Sequence, residues 1–470
     1  MRIGNAERPC TEPTNFAGLR VGVLGLGIEG QDAVRFLKSE GAAVITVFER
    51  RAFDELQDEQ ATLADDQIEL LPDTPEALAA QHLDALFVSQ GILDSHPLVA
   101  SAHTQGLPIS ATMRLFLQRC PAPVIGITGS AGKTTTTTLV HRILQAAGMT
   151  AIAGGNIGAG VLEQLPSIDR DTVVVLEISH TQLLRTDRSP HLAAVLNIAP
   201  NHLDQFGWTD YVDLKRKLVR HQTPDDIVVL PTDNAAAAAL AQDTPAQRYE
   251  FGTGGGKRGA FVEGGRIVWR DGSHVREIAP VSAIALRGAH NVQNVLAAVA
   301  IVGAWGAPLD AAASVIAAFR GVPQRLEEIA TIDAVLYVND SIATTPERTL
   351  AALRSFKAPI VLLLGGRDKQ LPLDALAAEA RSRTRAVIGF GEAGADFLAP
   401  LAADTDPPVT RVVGTLPEAV RAAYELAQPG DVVLLSPAGA SFDAYPNFAA
   451  RGRHFMDLVR TLEVEHARRR

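Results

Sequence analysis

The chain has 470 residues, 47% hydrophobic and 20% charged, a composition that supports several packed cores and excludes extensive disorder. Its net charge of −10 argues against nucleic acid or an anionic membrane as the principal partner. Two cysteines, Cys10 and Cys120, without CxxC or metal-type spacing, exclude a disulfide framework and fit a reducing compartment.

The length predicts about three domains. The opening "MRIGNAERPCTEP" carries no apolar signal core, and "VLAAVAIVGAWGA" (295–307) is too short to cross a bilayer. A soluble cytoplasmic protein is expected, with a monomer as the default.

The first block, residues 1–114, begins with "LRVGVLGLGIEGQDAVRFLKSEGAAVITVFERR" (19–51). This reads as a strand, a glycine turn, an amphipathic helix and a second strand. "LDALFVSQGI" (83–92) adds a strand that ends in a Ser-x-Gly turn. The second block, 115–322, starts with the strand "APVIGIT" (122–128), followed by a glycine loop. "TVVVLEIS" (172–179) and "AAVLNIAPNHLD" (193–204) are apolar runs with polar ends, the place where open α/β sheets bind ligands. "EFGTGGGKRGAFVEGGRIVWRDGSHV" (250–275) predicts surface hairpins, and "GAHNVQNVLAAVAIVGAWG" (288–306) a helix. In the third block, 323–470, "AVLYVND", "PIVLLLGG", "RAVIGFG" and "DVVLLSPAG" alternate with helical segments. The fold class is therefore α/β in three domains: Rossmann-like, central P-loop ATPase-type with a parallel sheet, and Rossmann-like again.

"GITGSAGKTTTTTLV" (126–140) carries the strongest chemical signal. Ile127 stands where a full Walker loop has glycine, leaving Gly129-x-x-Gly132-Lys133-Thr134. The physics survives: backbone N–H groups and a helix N-terminus face an anion, Lys133 neutralises it, and Thr134 can ligate magnesium. "GLGIEG" (25–30) satisfies a dinucleotide pattern, and Glu49 lies roughly where a ribose-binding acid would sit. No hydride-transfer site follows, so a non-redox nucleotide-like ligand is the better reading. Glu177 closes "VVVLE" and suits an oxygen-rich magnesium shell; His202 and Asp204 follow the next strand. By sequence alone, Lys215 in "YVDLKRKL" reads as part of a solvated helix face. Asn291 and Asn294 share one helix face, able to contact a base or to cap a turn.

Taken together, "TGSAGKTTT", "GGNIG", "LEIS", "LNIAPNHLD", "YVDLK", "GAHNVQN", "PQRLE" and "NDSIATTP" resemble, in order and over nearly the whole chain, the Mur ligases. These are the ATP-dependent amino-acid ligases of peptidoglycan synthesis. "GLGIEG" and "LLSPAGASFDAYPNFAARGRHF" (434–455) resemble the glutamate-adding branch in particular. The resemblance implies addition of glutamate, D-glutamate favoured, to UDP-N-acetylmuramoyl-L-alanine through an acyl phosphate, with ATP and two magnesium ions.

The same resemblance implies roles for individual residues. Gly129, Ser130, Gly132, Lys133, Thr134 and Thr135 would cradle ATP, with Asn291, Asn294, Arg325 and Asp340. Thr134, Glu177, His202 and a carbamylated Lys215 would hold magnesium, and Lys133, Glu177, His202 and Lys215 would form the catalytic set. Gly27, Ile28, Glu29, Glu49, Ser89, Gly91, Asn156 and Ser179 would hold the UDP-sugar. Thr344, Lys369, Ser441, Phe442 and Phe448 would hold glutamate. The sequence departs from the family pattern at Ala131, in "SHTQ" (179–182), and at Asn201, Ile342 and Phe442. Ile342 removes a lysine frequent in the D-glutamate branch, leaving Lys369 as the expected cation, while a variant branch that adds L-glutamate resembles "NDSIATTP". A folylpolyglutamate synthase-like ligase remains an alternative, although more than 100 residues precede the phosphate loop. A GTPase would need an NKxD motif, which the sequence lacks.

Overall fold

The computed structural model describes residues 13, 15–51, 56, 67–156, 160–200, 205–286, 288–369, 371–402 and 408–469. Cys10, Asn201, His202 and Asp204 lie outside them. The chain divides into two compact units, Met1–Phe319 and Arg320–Arg470.

The first unit holds two sheets. Strands β1 (Arg20–Leu24), β2 (Val44–Glu49), β3 (Ile68–Pro72), β4 (Ala85–Val88) and β5 (Ile109–Ser110) form a parallel sheet in the order β3-β2-β1-β4-β5. The glycine turn after β1 leads into helix Ile28–Ser39. A Cβ at Gly30 would stand 1.9 Å from the Gly25 carbonyl oxygen, so only glycine lets helix and strand approach this closely.

The second sheet comprises β6 (Val124–Thr128), β7 (Ala151–Gly155), β8 (Val173–Glu177), β9 (Leu192–Val195), β10 (Ile227–Pro231), β11 (Gln247–Gly252), β12 (Arg258–Glu263), β13 (Arg266–Asp271) and β14 (His274–Pro280). Its order is β14-β13-β12-β11-β10-β9-β6-β8-β7. The β12–β13 and β13–β14 pairs are the expected hairpins, turning at Gly264–Gly265 and Gly272–Ser273 with left-handed glycines. By contrast, β11 and β12 pair in parallel despite the short connection. One buried apolar cluster runs from Val21, Val34 and Phe87 of the first sheet's layers to Leu162, Val174 and Leu218 around the second. This shared core makes the two sheets one compact unit, since each fully buried large aliphatic side chain contributes roughly 1.5–3 kcal/mol.

The second unit contains β15 (Glu327–Ile332), β16 (Val335–Asn339), β17 (Ile360–Gly365), β18 (Thr384–Phe390), β19 (Val409–Val412) and β20 (Val432–Ala438), ordered β15-β16-β20-β17-β18-β19. Only β15 runs antiparallel. The strands β16, β17 and β20 are buried on both faces, as their near-continuous Val/Leu runs demand. The three mainly parallel sheets bear out the α/β reading.

Candidate active site

The loop between β6 and helix Lys133–Ala146 lies at the C-terminal edge of the second sheet. Gly132 caps the helix with φ +84°. The loop is braced by the extension of β9. Asn197 Oδ1 accepts the Ala131 N–H at 2.9 Å, and its Nδ2 donates to the Ala131 carbonyl at 3.0 Å. The Ser130 hydroxyl donates to the Ala199 carbonyl, accepts the Ala199 N–H, and meets the Tyr211 phenol, each at 3.0 Å. Lys133 Nζ folds back to donate to the Gly129 carbonyl at 2.9 Å.

Glu177, at the end of β8, is 2% exposed. Its Oε1 accepts Asn156 Nδ2 at 2.9 Å, whereas Oε2 is buried without a hydrogen-bond partner. A buried carboxylate oxygen left bare is costly unless a cation completes it, so Glu177 fits the magnesium shell expected of it. Thr134, in the first turn after the loop, is buried as well. Among the described residues no cluster of three His, Cys, Asp or Glu side chains could hold a metal alone; a phosphate-ligated, partly hydrated magnesium needs fewer protein ligands.

Lys215 corrects the solvated-face reading. It is 1% exposed on helix Trp208–Arg220, where Nζ donates to Thr128 Oγ1 at 2.9 Å and to the Gly129 carbonyl at 3.3 Å. Burial pushes its amine well below the ordinary lysine value; the Lys133 charge adds to this and Glu177 opposes it. The Thr128 hydroxyl is itself fixed, donating to the Ile178 carbonyl at 2.7 Å. Asn294, on helix Ala289–Ala304, faces Gly132 and donates from Nδ2 to Asn291 Oδ1 at 3.0 Å. Asn294 thus meets the phosphate loop at Gly132, and Asn291 meets Asn294.

A cleft lined by Ile28, Glu29, Gln90, Gly155, Asn156 and Gly160 joins the first glycine turn to the edge that carries Glu177. Ile28 is 67% exposed, an apolar surface open to a ligand. Ser89 Oγ donates to the Gly25 carbonyl at 2.8 Å. Glu49 accepts the Leu26 N–H at 2.9 Å and pairs with Arg51 at 3.1 Å. Burial alone would lift the Glu49 carboxyl, but Arg51 and the backbone donors hold it below its ordinary value. Asp32 is fully buried, its carboxylate accepting the Leu162 and Glu163 N–H groups at 3.0 Å; burial raises it.

In the second unit, Lys369 Nζ donates to Thr344 Oγ1 at 3.3 Å. Its amine is lowered by burial first, then by the charges of Arg348 and Arg451. Arg348 donates to the Ile342 carbonyl at 3.2 Å. Arg451 is fully buried and donates to Ser341 Oγ and to the carbonyls of Ser341 and Gly439 at 3.0–3.2 Å. Three cations therefore gather near Thr344, where the sequence predicted Lys369 alone. Ser441 is buried, and Phe442 and Phe448 are 46% and 36% exposed. Asp340 accepts the Leu326 N–H at 3.1 Å and Ser436 Oγ at 2.9 Å, and burial raises its carboxyl to about 7.

Sequence reasoning missed Asn197, Gln90, Gln182, Arg348 and Arg451. Only Gln182 carried a local signal, since "SHTQ" spells a Ser-x-x-Gln capping box, which the structure forms around Ser179.

The family model described as "Mur ligase middle domain" matches residues 127–302, and that described as "Mur ligase, glutamate ligase domain" matches 324–439. The UDP-N-acetylmuramoylalanine--D-glutamate ligase of Symbiobacterium thermophilum is 40% identical, with 94% of this chain and 98% of that protein covered. Its counterparts in Acetivibrio thermocellus and Koribacter versatilis are 35% and 37% identical, each covering 95% of this chain and 97% and 98% of their own lengths. In fold, the chain is similar to UDP-N-acetylmuramate-alanine ligase MurC from Thermotoga maritima. That structure has TM-score 0.54 at 18% identity, with 94% of this chain and 99% of that one covered.

Proposed function

The chain belongs to the Mur ligase family, and from that premise we propose that it joins glutamate to UDP-N-acetylmuramoyl-L-alanine with hydrolysis of ATP to ADP and phosphate, in the cytoplasm, as a step of peptidoglycan precursor synthesis. The observation that carries this reading is the pairing of buried Glu177, with one bare oxygen, and buried Lys215 around a phosphate loop. Such a site suits phosphoryl transfer, where catalysis is positioning and charge neutralisation.

In the proposed reaction, the alanyl carboxylate oxygen attacks the γ-phosphorus of ATP. The bond to the β-phosphate oxygen breaks and ADP leaves. The glutamate amine then attacks the acyl carbon, a C–N bond forms, the amine loses its proton, and inorganic phosphate departs. Lys133 neutralises the transferred phosphoryl group, for which it must release the Gly129 carbonyl. Thr134 and Glu177 would hold one magnesium, which supplies charge neutralisation on the phosphate oxygens. His202 and Lys215 are proposed for a second. Lys215 has the character that carbamylation needs, an amine whose burial disfavours the charged form: in the neutral form its lone pair would form the N–C bond to carbon dioxide and the nitrogen would shed a proton. Asn291, Asn294, Arg325 and Asp340 are proposed to hold ATP. Gly27, Ile28, Glu49, Ser89, Gly91, Asn156 and Ser179 are proposed for the UDP-sugar, and Thr344, Lys369, Ser441, Phe442 and Phe448 for glutamate. The division into domains 1–114, 115–322 and 323–470 follows the same reading.

The test is phosphate release by the purified chain. ATP should be consumed only when UDP-N-acetylmuramoyl-L-alanine and glutamate are both present; equal turnover without either would overturn the reading. D-glutamate is favoured by the activity for which the relatives are named. One observation favours a second reading, addition of L-glutamate. Residue 342 is isoleucine, so the cations near Thr344 are Lys369, Arg348 and Arg451, an arrangement unlike that expected of the D-glutamate branch. Running the assay with each enantiomer decides between them.

A further inference from the structure

Glu29 is out of place in a site for a polyanion. It lies in the first turn of helix Ile28–Ser39, where helix N-terminus and glycine turn favour negative ligands, and it lines the cleft beside Ile28. Its carboxylate is engaged elsewhere. Oε2 accepts the Gln90 N–H at 3.1 Å, and Oε1 accepts Gln182 Nε2 at 2.7 Å. Gln182 in turn accepts the Ser179 N–H on Oε1 at 3.0 Å, and its own N–H donates to Ser179 Oγ at 3.1 Å. The ring closes where Ser179 Oγ donates to Gln90 Oε1 at 3.1 Å.

Four residues from three separate segments thus form one closed circuit: the helix after the first glycine turn, the loop after β4, and the capping turn after β8. Ser179 and Gln182 are buried. The capping turn begins two residues beyond Glu177, whose main chain also anchors Asn156 through an N–H···O bond of 2.8 Å. Burial raises the Glu29 carboxyl, with the Asp32 charge adding to it, while the Gln182 and Gln90 donors pull it back. The donors of the circuit, with the Thr112 side chain, favour the charged form against that burial.

We infer that Glu29 is a positioning residue, which through Gln182 and Ser179 fixes the strand end bearing Glu177, and that it is not a nucleotide-sugar contact. The inference rests on the proposed ligase reading and predicts an effect opposite to the one its location suggests. Loss of the brace lowers kcat, whereas a direct contact would mainly raise KM for the UDP-sugar.

Hydrogen-bond accounting supplies the test. In Glu29→Gln, one amide must face a donor: the new Nε2 meets Gln182 Nε2 or the Gln90 N–H, or Gln182 turns and loses the Ser179 N–H. The exchange Glu29→Gln with Gln182→Glu restores the pairings of the circuit with the charge moved across. The amide then at position 29 accepts the Gln90 N–H and donates to the carboxylate at position 182, whose other oxygen accepts the Ser179 N–H. Steady-state kinetics of the full chain should show kcat about tenfold lower in Glu29→Gln, with KM for UDP-N-acetylmuramoyl-L-alanine changed less than kcat. The double variant should recover most of kcat. Unchanged kcat in the single variant, a defect confined to acceptor KM, or a double variant that neither folds nor recovers each overturns the inference. If the single variant fails to fold, recovery of folding and turnover in the double variant supports it. Acceptor-dependent turnover by the unaltered chain is measured alongside: its absence removes the ligase reading, whereas its presence with a failed exchange removes only the role of Glu29.

Discussion

Asn294 Oδ1 stands 2.2 Å from the place a Cβ on Gly132 would occupy. The phosphate loop and the asparagine helix therefore set each other's limits, and Gly132 also holds φ +84°. Gly132→Ala should destabilise the chain by about 1–3 kcal/mol, from strain and steric conflict together, and weaken ATP binding by at least about tenfold. Adding Asn294→Ala removes the steric part, so the double variant should regain stability but not affinity. Denaturant unfolding and titration calorimetry separate the two effects.

Glu177→Gln keeps the Asn156 contact, because the amide oxygen can accept it, but presents an N–H₂ where the bare Oε2 stood. The fold should persist with a melting temperature within a few degrees. Phosphate release should fall at least about 100-fold. Retention of more than about a tenth of the activity would falsify the assignment of Glu177 to the metal shell.

Lys215→Ala removes a fully buried amine between Thr128 and the loop carbonyl of Gly129. Activity should drop by about two orders of magnitude, and formate or acetate at high concentration should restore part of it by standing in for a carbamate. Mass spectrometry of the intact chain in bicarbonate should show an added carbon dioxide that Lys215→Ala lacks. No rescue and no adduct would leave Lys215 as a simple cation.

Asp340 gives a pH-linked prediction. Its carboxyl rises from 3.8 to about 7 on burial, so between about pH 4 and pH 7 the folded chain holds a proton that the unfolded chain has released. Stability contributed by this group falls as pH rises through that window and is constant above it. Asp340→Asn can still accept the Leu326 N–H and can donate to Ser436 Oγ. At pH 8 it should therefore be more stable than the parent, by on the order of 2–4 kcal/mol, with the gain shrinking toward pH 4. Its ligase activity should be lower throughout. A stability difference that does not vary with pH would argue against the buried proton.

In each unit the strands that carry candidate residues were legible because they are unbroken apolar runs with polar ends, as in "VVVLE" and "VLYVND", and the structure places Glu177 and Asp340 at or just beyond those ends. The exposed edge strand Val409–Val412 carries no comparable pattern. Long-range partners were less accessible still. Nothing local distinguishes Asn197 from a turn asparagine, and nothing in "ARGRHF" signals that Arg451 is fully enclosed. Lys215 was hidden for the same reason: burial of a charged residue depends on what packs over its helix face.

The amide of Asn197 pairs with both backbone groups of Ala131, so one side chain acts as a strand one residue long. Glycine-rich loops ordinarily surrender much conformational entropy when an anion orders them. Here a part of that ordering is already complete in the folded chain, at Ala131, where the loop departs from the family pattern. A phosphate bound as proposed would meet a cradle whose shape was set during folding, and more of its binding free energy would remain for the transition state.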